Sequence, residues 1–398
     1  MLRKRIDLVL TAILLAAIFA IGGATASLHM REFGYDLVKG YTNYIKEGQP
    51  LAGVSARISA LTNTINQVLL GKDAFQKLNL RLQMALGKEM FSLGGNTMVR
   101  LKTGQLYDLA KKTVFTDDIE KMARLKDNLE KMGIPMLYVY PHCSLYEDGL
   151  LPGGVVDTNN QMADVLVSGL REEGIPVVDS REVYRSSGLT LDRAIYRTDQ
   201  HWANPLIFET FRATSAKLNE MGFTVDPSTY AEENFTTDFY LRMHMGQVGE
   251  RLGVGLIEPD DFALIYPAYD TSFTKKIVNG RNVEEKTGSF MDLLYPSLLE
   301  DAKNNGVANL YWVYGNQDAE SWYTNDKVST GRILISKDSY GTPFVDFMAL
   351  AAHEVLAVDL RKTARTIEDY AREYQPDIVI VAHSQAMLRS ANYVFIEK

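Results

Sequence analysis

Ile333-Leu334-Ile335-Ser336-Lys337-Asp338-Ser339-Tyr340-Gly341-Thr342-Pro343 runs from a short apolar stretch into polar residues, a glycine and a proline. An apolar run of this length, bounded by turn residues, reads as a buried strand. Pro343 suits the first turn of a helix, where its missing N–H costs nothing, so a helix is expected from Thr342 or Pro343. Strand, short turn and helix make up the repeating unit of a helix-covered parallel sheet.

The same rhythm extends in both directions. Met136–Tyr140, Ile175–Asp179, Leu310–Tyr314, Val355–Asp359 and Ile378–Ala382 are further apolar runs that read as strands. Between them, Ile119, Met122, Leu125, Leu129 and Met132 recur at helical spacing before Gly133, a plausible cap. Met162 to Glu173 ends at Gly174, and Leu206, Ile207, Thr210, Phe211, Thr214 and Leu218 mark another helix. Ile367, Tyr370, Ala371 and Tyr374 form a last helical face, stopped by Pro376. The expected fold is therefore α/β, a parallel sheet flanked by helices, over residues 97–398. Residues 224–306 break the rhythm and read as an inserted loop and short-strand region.

Residues 1–27 read differently. Arg3, Lys4 and Arg5 precede an uncharged run from Leu8 to Ala26. At about 1.5 Å per residue, such a helix just crosses a hydrocarbon core of roughly 30 Å. The basic flank would keep the N-terminus in the cytoplasm and put the remainder outside. Ala24-Thr25-Ala26 also has the form of a signal-peptidase site, so a cleaved leader is the competing reading. Export to the outer side of the membrane is expected in either case. Residues 28–96 read as a helical stalk or lead-in, with Gly71 and Gly87 as punctuation.

Composition narrows the function classes. With 42 basic against 50 acidic residues and a net charge of −8, the chain lacks the excess of positive charge that nucleic-acid binding uses. A single cysteine, Cys143, rules out an intramolecular disulfide and a thiolate-rich metal site.

Chemistry concentrates in two stretches. Ser339 lies just past the strand that opened this reading, where ligands of open parallel sheets bind and where helix N-terminal amides stabilise developing negative charge. In Tyr196-Arg197-Thr198-Asp199-Gln200-His201-Trp202, Asp199 and His201 alternate with Gln200 and in extended backbone face the same side. A hydroxyl, an imidazole to take its proton and a carboxylate to orient the imidazole are the parts of nucleophilic catalysis. Ser339, His201 and Asp199 are the candidate triad. Blander readings compete: Asp338-Ser339 as a helix cap, Asp199-Gln200-His201 as a surface loop or as two metal ligands. The remaining histidines, among them His244 and His383, show no metal-ligand spacing, and no metal or cofactor is assigned. Asn316 ends another apolar run and is a candidate oxyanion donor or a turn residue. His383, at the end of the last strand, reads as a satisfied strand-end histidine or a pocket residue.

Thr198-Asp199-Gln200-His201-Trp202, Phe235–Tyr240, Gly315-Asn316, Lys337-Asp338-Ser339-Tyr340-Gly341 and Val358-Asp359-Leu360-Arg361, in that order, resemble the DHHW family. That family is similar to the SGNH-hydrolase-like proteins of polysaccharide O-acetylation, such as those acting on alginate. Gln200 stands where the family has its first histidine, and Gly341 where members often have alanine. The resemblance implies an SGNH-like fold, with Ser339 as nucleophile, His201 as base and Asp199 as orienter. Asn316, Tyr340, Gly341 and Arg197 are then candidates for oxyanion and substrate contacts. It also implies acetyl transfer from a membrane-bound O-acyltransferase to a polysaccharide outside the membrane, the chain being held there by its N-terminal helix. An esterase with the same triad and a non-catalytic glycan-binding scaffold are the alternatives.

Overall fold

The computed structural model describes Val38 and residues 72–93, 96–104, 106–109, 114–141, 147, 149–252 and 257–388. The apolar run Leu8–Ala26 lies outside these residues. Among the described residues, no helix is long and apolar enough to cross a membrane. The chain divides into two compact units, Met1–Ala85 and Leu86–Lys398. The described part of the first is chiefly one helix, α1 (Lys72–Ala85).

The second unit begins with strand, ahead of the Thr97 expected. β1 (Met90–Leu93), β2 (Asn96–Arg100) and β3 (Leu106–Leu109) form a small antiparallel sheet. There follow α2 (Thr116–Lys131), β4 (Met136–Tyr140), α3 (Thr158–Glu172), β5 (Val177–Asp179), α4 (Ser180–Ser187), α5 (Leu191–Ala194) and α6 (Asn204–Glu220). The middle of the chain supplies β6 (Phe235–His244), α7 (Gln247–Leu252), β7 (Asp260–Pro267), β8 (Phe273–Asn279), β9 (Asn282–Gly288) and α8 (Ser297–Asn305). The last part is β10 (Glu320–Asn325), β11 (Arg332–Lys337), α9 (Thr342–Met348), β12 (Glu354–Val358), α10 (Ile367–Tyr374), β13 (Ile378–Ala382) and α11 (Gln385–Leu388).

The main sheet has the order β5-β4-β13-β11-β12-β10-β8-β9. β5, β4, β13, β11 and β12 are mutually parallel. β10, β8 and β9 pair antiparallel, so the sheet is mixed, where an all-parallel one was expected. Short connections reverse the chain here: residues 326–331 join β10 to β11, and a two-residue turn at Gly280-Arg281 joins β8 to β9. The interval 224–306 thus contributes two strands to the main sheet, and only β6 and β7 form a separate ribbon.

Alternation along the central strands divides the core. Ile333 and Ile335 of β11, Val355 and Ala357 of β12, and Ile378 and Ile380 of β13 face one layer, with Phe211 of α6 and Phe344 and Phe347 of α9. Leu334, Leu356, Val379 and Val381 face the other, with Leu125, Leu166 and Tyr370 from α2, α3 and α10. Both faces being covered, these strands read as unbroken apolar runs. A one-residue slip of β11 would exchange the two sets, so its register, with Ile333 opposite Val355 and Ile378, is strongly specified.

Leu310–Tyr314 is a 3₁₀ turn, not the strand its apolar content suggested. Its polar groups are taken by side-chain partners: the Leu310 N–H donates to His244 Nδ1 at 3.0 Å, and the Tyr314 hydroxyl meets Ile265 on β7. With Tyr311 and Tyr314 on one side at a spacing of three, the 3₁₀ period fits both rings into the core.

Candidate active site

β11 ends at Lys337, and Ser339–Gly341 makes a single 3₁₀ turn that leads directly into α9 at Thr342, as the proline predicted. Asp338 holds this turn from both sides. Its Oδ1 accepts from the Tyr340 N–H at 2.8 Å, and its Oδ2 accepts from the backbone and hydroxyl of Ser384, each at 2.8 Å. Asp338 thus caps the 3₁₀ turn and not α9 itself, whose N-cap is Gly341, and the next residue, Ser339, lies at the carboxyl end of the central strand.

The 195–202 loop is closed at its base by a bridge between Ile195 and Trp202 and by Ala203 N–H donating to Ala194 at 2.8 Å. Asp260, at the start of β7, accepts from the backbone N–H groups of Arg197 and Thr198 and from the Thr198 hydroxyl, at 2.8, 2.9 and 2.6 Å. Within the loop, Asp199 Oδ1 receives both the His201 backbone N–H at 3.0 Å and His201 Nδ1 at 2.7 Å. His201 Nε2 lies 3.1 Å from Ser339 Oγ. The three side chains that 138 residues of sequence separate form one continuous line, with Ser339 6% exposed at its outer end.

Aromatic side chains fix the imidazole. The Tyr311 ring stacks on His201 with centroids 4.0 Å apart and planes 10° apart, while Trp312 meets it edge-on at 5.6 Å. The Tyr311 hydroxyl donates to the carbonyls of Ser339 and Tyr340, and Trp202 Nε1 donates to the Tyr340 carbonyl at 2.8 Å. The Tyr340 hydroxyl in turn donates to the Gln200 carbonyl at 2.9 Å. Tyr340 thereby ties the serine turn to the histidine loop. Burial, with Asp199 and Asp338 nearby, pushes the Tyr311 phenol well above its ordinary range, which keeps it a neutral donor. For Asp199, burial pushes upward, but the adjacent His201, the hydrogen bonds from it and His244 outweigh that, and the carboxyl titrates below its ordinary value.

The other expected residues fall as follows. Arg197 turns to Asp260, its Nε 3.2 Å from the carboxylate. Gly341 is packed so that an added Cβ would lie 2.8 Å from Lys337 Cβ. Asn316 is exposed and lines an open cleft of about 600 Å³ with Gln247, Asn279, Trp312, Gln317, Asp318 and Lys362. It follows a 3₁₀ turn and not a strand end, and Gly315, not Asn316, approaches α9 through Thr342. His383 is fully buried, with Nε2 2.8 Å from Ser336 Oγ, and so lies inside the sheet and not in the pocket.

Tyr311, Asp260, His244 and Gly246 escaped the reading of the sequence. Tyr311 was hidden inside an apolar run. His244-Met245-Gly246 carried the only visible signal, a histidine and a glycine two residues apart just after a strand. A side chain at Gly246 would place its Cβ 2.2 Å from Asp199 Oδ2, so the backbone there lies directly against the carboxylate.

No family model matches this sequence, and no curated protein matches it. Solved structures do match. PatB1 of Bacillus cereus, solved with a sulfonyl adduct, superposes with a TM-score of 0.63 at 15% identity, over 77% of this chain and 100% of that one. A DHHW family protein from Eubacterium siraeum superposes with a TM-score of 0.55 at 15% identity, over 77% and 95%. The O-acetyltransferase domain of Pseudomonas putida AlgJ is more distant, with a TM-score of 0.45 at 11% identity over 76% and 95%. The chain has the fold of the first two, and the resemblance seen in its motifs extends to the tertiary structure.

Proposed function

We propose that this chain is a serine-dependent O-acyltransferase of the cell envelope, moving an acetyl group to a polysaccharide hydroxyl. The observation that carries the proposal is the unbroken line from Asp199 through His201 to Ser339. In it, His201 removes the proton as Ser339 Oγ attacks an acetyl ester, and the developing imidazolium is held by Asp199. The tetrahedral intermediate collapses to acetyl-Ser339, expelling the donor alcohol, which takes the proton from His201. The acceptor hydroxyl then repeats the sequence in reverse, giving its proton to His201 and leaving with the acetyl group.

The cleft beside the triad suits a sugar acceptor. Trp312 reaches from the His201 ring into it, and Gln247, which contacts Gln200 at 3.2 Å, lines its wall. An indole with several amides is the usual chemistry for hydroxyl-rich ligands, which need apolar stacking and paired donors and acceptors. On this reading a membrane-bound O-acyltransferase supplies the acetyl group, and residues 1–27 hold the enzyme at the outer membrane surface near it. The resemblance to the DHHW family supports the first, and the basic residues ahead of the apolar run Leu8–Ala26 support the second.

The test is intact-mass spectrometry after incubation with an activated acetyl ester, or with a sulfonyl fluoride. One adduct on wild type, mapped to Ser339 and missing from Ser339→Ala and His201→Ala, is expected. Faster release with oligosaccharide than with water identifies a transferase; equal rates identify the esterase alternative. Adduct formation that is the same in all three proteins overturns the triad and leaves the glycan-binding scaffold.

A further inference from the structure

Asp199 Oδ1 is fully engaged by His201, but Asp199 Oδ2 is buried without a hydrogen-bond partner. The same holds for His244 Nε2. These two atoms face each other at 3.7 Å. That separation is longer than a formed hydrogen bond. Two buried orphans of complementary chemistry, side by side behind the imidazole that touches Ser339, call for a physical explanation.

The other ring nitrogen decides the chemistry. His244 Nδ1 lies 3.0 Å from the Leu310 backbone N–H, and a backbone amide only donates. Nδ1 is therefore the acceptor, and in the neutral ring the proton sits on Nε2, aimed at Asp199. The ring is held in place by its surroundings. The β6 ladder shifts register between Tyr240 and His244, with Arg242 in the left-handed region at φ 55°. The following residue is pinned by Met245 N–H donating to Ala308 at 2.9 Å, and the Tyr196 ring lies 4.2 Å from the imidazole. Gly246 then lets the chain pass against the Asp199 carboxylate.

We propose that His244 is a positioning residue for the triad: it donates its Nε2 proton to Asp199 Oδ2, so that the carboxylate is held at one oxygen by His201 and at the other by His244. Closure from 3.7 Å to a hydrogen bond needs a movement of under about 1 Å, of the kind catalytic hydrogen bonds make on substrate binding. The charged and titratable groups around the ring agree with a neutral donor. Burial holds His244 below the ordinary imidazole range, with His201 adding to this, against the pull of Asp199 and Asp260. Asp260 is itself occupied by Arg197 and Thr198. His244 thus fixes the plane of the carboxylate and, by drawing charge from it, limits how strongly Asp199 holds a proton on His201.

The inference rests on the triad reading but not on the identity of the acceptor. Two substitutions separate its parts. In His244→Asn the amide oxygen replaces Nδ1 as acceptor for Leu310 but nothing reaches Asp199. In His244→Gln the amide nitrogen reaches Asp199 but the Leu310 partner is lost. Turnover of an activated acetyl ester is measured against pH, together with the low-field Nδ1–H resonance of His201 in proton NMR spectra.

In His244→Asn, kcat is expected to fall roughly tenfold or more with KM little changed. The acid limb of the profile should move to higher pH, because a carboxylate deprived of a donor holds the protonated imidazole more tightly. The NMR resonance should shift as well. His244→Gln should recover most of kcat and return both signatures toward wild type. Equal kcat and an unmoved resonance in His244→Asn overturn the inference. So does a His244→Gln variant more damaged than His244→Asn, since that ranks the Leu310 contact above the Asp199 contact. A wild type with the low-field resonance but no ester turnover defeats the acyl-transfer reading instead, and the resonance alone then decides for or against His244.

Discussion

β11 and the turn after it carry two serines three residues apart, and each meets a buried histidine. Ser336 Oγ lies 2.8 Å from His383 Nε2, and Ser339 Oγ lies 3.1 Å from His201 Nε2. By distance alone the first pair looks the better nucleophile–base couple. What separates them is everything around the pair. Ser336 is inside the sheet with no exposure, and burial pushes the His383 imidazole down to about 4. Such a ring resists taking the proton that a base must accept. His201, though as buried, has a carboxylate at 2.7 Å on its other nitrogen, and its serine lies past the end of the strand. A Ser–His contact is therefore not a catalytic site until a charge stabilises the proton on the histidine and the serine is accessible.

The largest expected effect breaks that comparison if it fails. Ser339→Ala and His201→Ala should each cost on the order of 10⁴-fold or more in ester turnover, read in steady-state kinetics. Ser336→Ala should leave turnover within a few-fold, because Ser336 is fully buried inside the sheet. A large loss at Ser336 and a small one at Ser339 would reverse the assignment.

Next comes Gly246→Ala. Its methyl would overlap Asp199 Oδ2 at 2.2 Å and push the carboxylate off His201. Roughly a 100-fold loss in kcat is expected, with circular dichroism showing the fold retained. The overlap is with Asp199, so this substitution probes the Asp199–His201 pair and not His383.

The third effect is on stability and belongs to the other histidine. With its folded value lowered from 6.5 to about 4, His383 stays neutral in the fold but takes a proton in the unfolded chain as pH falls below 6.5. The unfolded state binds more protons across that window, so stability present above 6.5 is progressively lost toward pH 4, by roughly 3 kcal/mol from this group. Urea unfolding at a series of pH values checks this, and His383→Gln should flatten the slope. The smallest effect is Ser336→Ala on stability. Removing the hydroxyl partner of a buried imidazole should cost about 1–3 kcal/mol, visible as a lower urea midpoint at pH 7.

Much of this was legible from residue patterns. Five of the six anticipated strands appear, since a run such as Ile378–Ala382 is apolar whatever it pairs with. Leu310–Tyr314 departs from the expected strand because apolar content does not distinguish a strand from a buried 3₁₀ turn. The deciding fact was where Leu310 N–H and the tyrosine hydroxyls find partners, some from 66 residues away. The antiparallel run β10, β8 and β9, which joins the sheet beside β12 through β10, was likewise invisible, because pairing direction is set by connections and not by composition.

Sequence by itself determined the alternation of strand and helix, the start of α9 at Thr342-Pro343, and the pairing of an Asp-x-His stretch with a strand-end serine as candidates. Each is a local property of spacing or of a side chain's own chemistry. Only the tertiary structure decided which serine His201 meets, that Arg197 belongs to Asp260, and that His244 and Gly246 lie against Asp199. The physical reason is that a triad is a matter of distances near 3 Å between groups far apart in the chain. Those distances are produced by sheet register, the packing of Tyr311 on His201 and the close approach at Gly246, none of which has a local signature.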